Sequence, residues 1–238
     1  KKLKQFNLNF IIHSYFPPPK TKLIFNLASQ NKNILKRSIK LAKDAINLCC
    51  EIESPLYTFH AGFTVDPQKL GVRFSQKNMV KKEISLKTFV ESVNYIIDYA
   101  KNHGIKIAME PNVVQKFNLT NNKNELLLFA DLDEIKQFSR IFKKKDVGIL
   151  LDLGHTAVTS HWLNFDKNKF VKLCLDKTFA VHVSNNNGKQ DQHKSLTKKC
   201  WQTSKLKLFK NIPITLETMN LDINHIKRNM EIVENSTI

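Results

Sequence analysis

Nine imidazole and carboxylate side chains of this 238-residue sequence lie at or just after the ends of short apolar runs. They are His13, His60, Glu110, Asp152, His155, His182, Asp191, His193 and Glu217. Five of the eight histidines of the chain belong to this set. Mixed nitrogen and oxygen ligands suit a divalent ion such as Zn²⁺, Mn²⁺, Mg²⁺ or Co²⁺, and they do not fit an all-oxygen Ca²⁺ site. The residue types therefore predict a divalent metal cofactor and leave its identity open.

The carboxylates of Glu110, Asp152 and Glu217 strengthen the metal interpretation. A single acidic residue at a strand end is typically a hydrogen-bonded polar residue or a helix cap. If all three converge, however, their negative charges repel and raise one another's pKa. A shared cation would keep them ionised. We therefore expect the three carboxylates to share one metal ion.

The segments that position these residues alternate between two patterns. Apolar runs of strand length are predicted at residues 6–13, 56–60, 105–110, 147–152, 179–183 and 212–217. Segments with the 3.6-residue spacing of amphipathic helices lie around residues 35–49, 89–100 and 135–142, and a closing helix is predicted at 221–233. This alternation is typical of parallel βα units.

The ends of the predicted strands choose between two parallel architectures. No glycine-rich phosphate loop follows any strand, so a Rossmann or P-loop nucleotide site is excluded. Successive strands instead end in ionisable residues, which is typical of a (β/α)8 TIM barrel that builds one site at the carboxyl ends of its strands. No low-complexity linker divides the chain. We therefore expect one TIM-barrel-type domain over residues 1–238.

Charge and composition limit the partner classes. Lysine and arginine number 38 against 21 acidic residues, which gives a formal net charge of +17. Only four of these cations are arginine, the usual phosphate and base reader, and the lysines are spread along the chain. Charge therefore does not favour a nucleic-acid partner, but it leaves one open. No apolar run approaches the ~20 residues of a membrane span, and the four cysteines have no CxxC spacing, which favours a cytoplasmic protein.

Five motifs together resemble a known family. They are FHAG at residues 59–62, AMEPN at 108–112, ILLDLGH at 149–155, AVHVSNNNGKQDQH at 180–193 and TLET at 215–218. In order and spacing they look like the xylose isomerase-like TIM barrels. That family includes sugar and sugar-phosphate isomerases and epimerases, and also the DNA-repair enzyme endonuclease IV.

The resemblance implies a role for each of the nine residues. Glu110, Asp152, His182 and Glu217 would form the primary metal site, and Glu110, Glu217 and His155 would be the catalytic residues. In the endonuclease branch, additional metal ions are held by a further set, which here is His13, His60, His155, Asp191 and His193. In the sugar branch a single ion is usual.

Local features divide between the two branches. The loop Asn185–Gly188, the absence of a glycine-rich continuation after AMEPN and the scarcity of arginine favour the sugar branch. Against it, His193 is followed by Lys-Ser-Leu-Thr in place of the family's Gly-x-Gly turn. On balance we expect a metal-dependent sugar or sugar-phosphate isomerase or epimerase that acts through an enediolate, with glutamate as acid and base and a small sugar as substrate.

Two alternatives stay open. One is an endonuclease IV-like zinc phosphodiesterase that acts at abasic DNA, and the other is a non-catalytic barrel that binds a sugar or a protein. A metal count separates the two enzymes, because about three ions per chain favour the nuclease and about one favours the sugar enzyme.

The resemblance also implies an expectation about length. Family barrels have two βα units before the strand that ends at the position of His13, whereas twelve residues precede it here. Six strands do not close a barrel with this shear. We therefore expect an N-terminal truncation that removes the first two βα units. The alternative is a partner that covers the open edge of the sheet. The sequence leaves open whether the chain forms a homo-oligomer.

Overall fold

The computed structural model describes residues 8–143 and 147–238 of the chain. It contains one sheet of six parallel strands that are arranged in sequential order. The strands are β1 (Ile12–His13), β2 (Leu56–His60), β3 (Lys106–Glu110), β4 (Val147–Asp152), β5 (Thr178–Val183) and β6 (Ile214–Leu216). The predicted parallel α/β architecture with six strands is confirmed.

Helices join the strands and cover the outer face of the sheet. They are α1 (Lys32–Ile52), α2 (Lys82–Asn102), α3 (Leu132–Ile141), α4 (Leu153–Trp162), α5 (Lys167–Cys174) and α6 (Ile223–Thr237). A 3₁₀ helix, Thr203–Phe209, takes the place of a covering α-helix between β5 and β6. Within residues 8–143 and 147–238, none of the helices has the length and apolar content needed to cross a bilayer.

The two faces of the strands are buried against different partners. Tyr57 and Ile107 belong to the main core, which includes the buried stripes of α1 and α2. Leu56, Ala108 and Leu150, in the other alternating phase, form a smaller inner cluster. Burial on both faces explains why these strands are apolar throughout, as in other parallel sheets.

The sheet is strongly curled. The imidazole rings of His13 on β1 and His182 on β5 lie 5.2 Å apart between their centroids. In a flat sheet, four strand spacings would separate these two strands by about 19 Å. The carboxyl ends of the strands therefore surround a common centre, as they do in a TIM barrel.

Both outermost strands are shorter than the apolar runs predict. Of the predicted strand 6–13, residues 6 and 7 lie outside the described residues, residues 8–11 do not pair, and β1 begins at Ile12. β6 covers Ile214–Leu216 of the predicted run 212–217, so Glu217 follows the strand. Within the described residues, β1 and β6 each pair with a single neighbour. Fewer ladder hydrogen bonds are therefore available to extend them.

Helices α4 and α5, between β4 and β5, are additions to the sequence prediction. Eight of the ten residues of α4 are buried. A helix that is buried on all sides lacks the polar face that produces a 3.6-residue pattern, so α4 has no periodic signal in the sequence.

The closing helix is confirmed, but its apolar stripe is not its main contact surface. Ile223 and Met230 expose 62% and 49% of their surface. The buried residue is Asn229, whose Oδ1 accepts a hydrogen bond from the backbone N–H of Leu196 and whose Nδ2 donates to Oγ of Ser195 at 2.8 Å. The helix is therefore attached by these polar contacts together with Ile232 and Val233, which pack against the main core.

Gly148 on β4 lies under the ring of Phe179, and this contact yields a stability prediction. A Cβ at this position would lie 2.4 Å from Cγ of Phe179 and 2.7 Å from the carbonyl oxygen of Lys177. We expect Gly148→Ala to lower the free energy of unfolding by about 1–3 kcal/mol through overpacking, as measured by urea denaturation. Glu91→Ala, on the exposed face of α2, is the control and should change it by less than about 0.5 kcal/mol. Unchanged stability of Gly148→Ala would contradict the close packing.

Candidate metal centre

Six of the nine predicted ligands stand at the carboxyl ends of the strands. His13, His60, Glu110 and Asp152 end β1 to β4, His182 is the next-to-last residue of β5, and Glu217 follows β6. In the strand register His60 pairs with Glu110, and Asp152 pairs with His182. The ligands therefore lie at the same level of the curled sheet.

The strand pleat points these side chains inward. Glu110 follows Ala108 by two residues and Asp152 follows Leu150 by two residues, and both apolar residues belong to the inner cluster. Because side chains two positions apart share one face of a strand, the ligand layer lies directly above the inner apolar core.

His13, His60 and Glu110 form the first group of possible metal ligands, with one ligand atom of each within 4.8 Å of the others. Oε2 of Glu110 lies 3.5 Å from Nε2 of His13 and 3.4 Å from Nδ1 of His60. Nδ1 of His13 hydrogen-bonds Oγ1 of Thr58 at 2.8 Å. Such a contact to the second ring nitrogen fixes the orientation of a metal-binding imidazole.

Glu110, Asp152, His155 and Glu217 form a second set, here called the central group. Nδ1 of His155 lies 3.0 Å from Oε1 of Glu110, and Nε2 of His155 lies 3.8 Å from Oδ2 of Asp152. Glu110 therefore presents Oε2 to the first group and Oε1 to the central group, which is the arrangement of a bridging carboxylate.

His155, Asp191 and His193 form a third set, here called the loop group. Oδ2 of Asp191 lies 3.4 Å from Nε2 of His155 and 3.1 Å from Nε2 of His193. Nδ1 of His193 donates a hydrogen bond to the carbonyl oxygen of Glu217 at 2.9 Å. Its Nε2 is therefore the nitrogen with a lone pair available for a metal ion.

His182 lies beside the central group, not within it. Its Nδ1 is 3.2 Å from Oε2 of Glu217, and its ring contacts that of His13 edge to face. The structure thus brings all nine predicted residues into one contiguous cluster. Their roles as metal ligands and catalytic groups stay a prediction.

Asp152 has two tasks because it ends β4 and caps α4. Its Oδ1 accepts a hydrogen bond from the backbone N–H of His155 at 2.7 Å. This N-cap begins the helix and places His155 in the first turn of α4, above the strand ends. Oδ2 of Asp152 is left facing the centre.

The loop that carries Asp191 and His193 is held by its own hydrogen bonds. An antiparallel bridge joins Asn185 to Lys194 at its base, with N–H···O distances of 2.9 and 2.8 Å. Oδ1 of Asn187 accepts hydrogen bonds from two backbone N–H groups at the loop tip. The loop group therefore has a defined geometry although Lys194 stands where a Gly-x-Gly turn is common in the resembling family.

The unpaired polar atoms of the cluster test whether its residues fit a metal ion. Buried atoms that lack a partner in hydrogen-bonding geometry include Oε1 and Oε2 of Glu110, Oδ2 of Asp152, Oε2 of Glu217, Oδ1 of Asp191, and Nδ1 of His155 and His182. Each unsatisfied buried polar group costs about 1–3 kcal/mol. Coordination of a cation would satisfy them, so the residues fit divalent metal ions.

The same crowding shifts the pKa values of the centre. Burial, together with the nearby charges of Glu217 and Glu110, raises the pKa of Asp152 to about 8, although the charge of His155 opposes this shift. Burial would also raise the pKa of Glu110, but its histidine neighbours His60 and His155 outweigh this and hold it well below the usual range.

The imidazoles divide into basic and weakly basic members. Burial lowers the pKa of His182, but its contact with Glu217 and the charge of Glu110 outweigh burial and raise this pKa to about 9. The hydrogen bond to Asp191 raises the pKa of His193 to about 9. Burial dominates at His13 and lowers its pKa to about 4, so this ring is neutral at pH 7.

A cavity of about 700 Å³ opens on the centre. Its lining includes two kinds of residue that the sequence reasoning missed, namely phenylalanines such as Phe63 and Phe74, and Gln115. Oε1 of Gln115 accepts a hydrogen bond from the backbone N–H of Asp191 at 3.1 Å. The available signal for Gln115 was its place in the loop that leaves β3, since such loops build the sites of TIM barrels.

A family comparison agrees with this geometry. The family model described as Xylose isomerase-like TIM barrel matches residues 1–234. The chain belongs to this family. As a member of the xylose isomerase-like TIM barrels, it carries its candidate site at the strand ends, where TIM barrels place theirs.

Sequence relatives of this xylose isomerase-like barrel include proteins with endonuclease names. The chain is 22% identical to the probable endonuclease 4 of Sulfurihydrogenibium sp. (strain YO3AOP1), over 82% of the chain and 68% of that protein. It is 26% identical to apurinic-apyrimidinic endonuclease 1 of Plasmodium berghei (strain Anka), over 92% of the chain and 43% of that protein. The matches to two relatives from Methanocaldococcus jannaschii cover 61% and 55% of the length of those proteins. The chain thus spans only part of the length of each.

Solved structures with this fold include a D-tagatose 3-epimerase-like protein. The TM-score is 0.73 at 21% identity, over 98% of this chain and 78% of the other. At this identity the likeness establishes the fold alone. The reaction must therefore be argued from the site.

The pKa values predict how metal binding depends on pH. Asp152, His182 and His193, with pKa values of about 8, 9 and 9, bind protons at pH 7 that a metal ion must displace. We therefore expect the apparent affinity for Zn²⁺ to fall as the pH is lowered from about 9 to 6, by roughly tenfold or more per pH unit. Calorimetry in buffers of different ionisation enthalpy would count the released protons.

The control for this titration is Asp44→Asn, on the exposed side of α1, which should leave the pH dependence unchanged. An affinity for Zn²⁺ that stays constant over this range would contradict the assignment of Asp152 and His193 as ligands with His182 beside them.

Proposed function

We propose that this chain is a multi-metal hydrolase of phosphodiesters. The observation that carries the proposal is the overlap of the three ligand groups, because Glu110 and His155 each belong to two of them. Shared ligands hold metal ions close together, and phosphatases and nucleases are among the enzymes that use such neighbouring ions to cleave phosphate esters. Phosphodiester hydrolysis is therefore the first candidate, whereas the sequence analysis favoured sugar isomerisation or epimerisation.

The chain's own residues have distinct tasks in this proposal. The first, central and loop groups would hold one divalent ion each, and Glu110 would join the first two. When bound, such ions activate water and stabilise charge on the phosphoryl oxygens. The hydrogen bonds of His13 to Thr58 and of His193 to the Glu217 carbonyl keep both rings oriented.

The endonuclease names of two relatives support the same chemistry. Because their identity is low and their coverage is partial, these relatives do not identify the substrate of this chain. The proposal is therefore stated for the bond that is cleaved, the phosphodiester, and abasic DNA is one substrate to test.

A metal-dependent sugar isomerase or epimerase is the second candidate. The observation in its favour is that Glu110 and Glu217 belong to one ligand group with Asp152. The pKa of both glutamates lies below the usual range because of neighbouring histidines, although burial opposes the shift. Two ionised carboxylates beside a metal ion could remove and return a proton through an enediolate.

The number of bound ions separates the candidates. We expect the chain loaded with Zn²⁺ and desalted to retain close to three ions, one for each ligand group. His193→Ala removes a ligand of the loop group alone and should lower the count by about one ion. Elemental analysis by mass spectrometry measures this.

His161→Ala is the matched control for the metal count, because His161 lies on α4 with its ring on Trp162, away from the three groups. It should retain the full count. A single ion in the unaltered chain would favour the isomerase.

Hydrolysis itself is the direct test. We expect the metal-loaded chain to cleave bis(p-nitrophenyl) phosphate, and Glu110→Gln to lower kcat by at least about 100-fold, because a carboxylate that belongs to two ligand groups is lost. Glu91→Gln, on the exposed face of α2, should keep the full rate. Release of p-nitrophenol gives the rate, and cleavage of an abasic oligonucleotide is measured in parallel.

Turnover of ketose sugars without any phosphodiester cleavage would contradict the proposal and support the second candidate. Loss of cleavage on chelation, with recovery on adding Zn²⁺, is required for the proposal to hold.

A further inference from the structure

The cavity beside the metal centre has two unlike walls. One wall consists of residues of the ligand groups, including His60, His155 and Asp191. The other contains Phe25, Phe63 and Phe74, whose side chains are almost fully buried. At about 700 Å³, the cavity has the size of a site for a small molecule.

The aromatic wall is fixed in place by packing. The rings of Phe63 and Phe74 meet edge to face with centroids 5.6 Å apart. Phe74 is 6% exposed in an otherwise exposed loop, residues 66–79. It therefore holds that loop over the cavity and presents an apolar surface opposite the metal centre. Half-buried Phe117 extends the same surface.

Several amide atoms of the side chains that line the cavity already bond to the protein. Nδ2 of Asn112 donates to three backbone carbonyls at 3.0–3.1 Å. Oδ1 of Asn118 accepts from the backbone N–H of Gln115, whose Oε1 accepts from the backbone N–H of Asp191. These atoms are therefore not free to replace the hydrogen bonds that a hydroxyl-rich ligand makes with water.

Charge gives a second restriction on the ligand. Among the described residues, neither lysine nor arginine lines this cavity. Negative charge on a ligand can therefore be neutralised only at the metal centre. A polynucleotide needs cations for its successive phosphates. Inside the cavity, the metal centre is the place where one phosphate group could bind.

We propose that the substrate is a small phosphodiester with one aromatic or bulky apolar ester group, which lies against Phe63, Phe74 and Phe117 while its phosphate lies at the metal centre. This inference rests on the proposed hydrolase function. Water forms a new bond to phosphorus, the bond from phosphorus to the ester oxygen breaks, and one proton of the water passes to the released alcohol.

Binding of two phosphonates tests the apolar surface without any turnover. Phenylphosphonate and methylphosphonate share a headgroup and differ in the aromatic ring. We expect calorimetry on the Zn²⁺-loaded chain to give at least about tenfold tighter binding of phenylphosphonate, because its ring leaves water. Phe74→Ala and Phe117→Ala should each reduce this preference to less than about threefold.

Two variants keep the result interpretable. Phe74→Leu retains apolar volume and should retain most of the preference, which separates loss of the apolar surface from collapse of the loop. Tyr95→Ala removes an exposed aromatic ring on α2, outside the cavity, and should leave the preference intact.

The outcomes distinguish this inference from the proposed function. Equal binding of the two phosphonates, with cleavage of bis(p-nitrophenyl) phosphate or abasic DNA retained, would overturn the inference and leave the hydrolase standing. Failure to bind either phosphonate, together with absence of all phosphodiester cleavage, would overturn both. A clear preference for phenylphosphonate that the Phe74 and Phe117 variants remove would support the inference.

Discussion

The carboxylate of Glu110 is fully buried, and the rest of the site depends on how this buried charge is stabilised. Removing such a charge from water costs several kcal/mol unless positive groups surround it. The imidazoles of His60 and His155, which come from β2 and α4, hold the pKa of Glu110 low, and the neutral ring of His13 from β1 also contacts this carboxylate. They can meet a residue of β3 because parallel strands end at one level and the sheet curls. The apolar core beneath the ligand layer supplies stability that the crowded charges reduce.

The sequence predicts the placement of the strand-end residues well because two local signals coincide there. Each apolar run marks a strand, and the ionisable residue at its end lies in the inward phase, as Glu110 does after Ala108. Parallel pairing then brings the ends together without further information. Asp191 and His193 lie on a loop beyond a strand end, so their role as additional ligands came from a resemblance to a family. Their geometry depends on hydrogen bonds such as those between Asn185 and Lys194.

Other parts of the structure have no local signal in the sequence. Phe25, Phe63 and Phe74 lie outside helices and regular strands, so no periodicity distinguishes residues that line a cavity from residues of the core. The stripe of α6 has the spacing of a buried face, yet Ile223 and Met230 are exposed. Which face a helix buries depends on its neighbours in space, and spacing alone does not encode them.

The candidate ligands divide into residues held by strand ends and residues held by a loop. The first and central groups depend mainly on strand ends, which the curled sheet brings together. The loop group depends on a short segment that Asn187 and Gln115 hold in place. Changing that loop would alter the loop group without changing the strands. A likeness of backbone therefore does not identify the reaction, and the ligand groups and the cavity, not the barrel, carry the information about it.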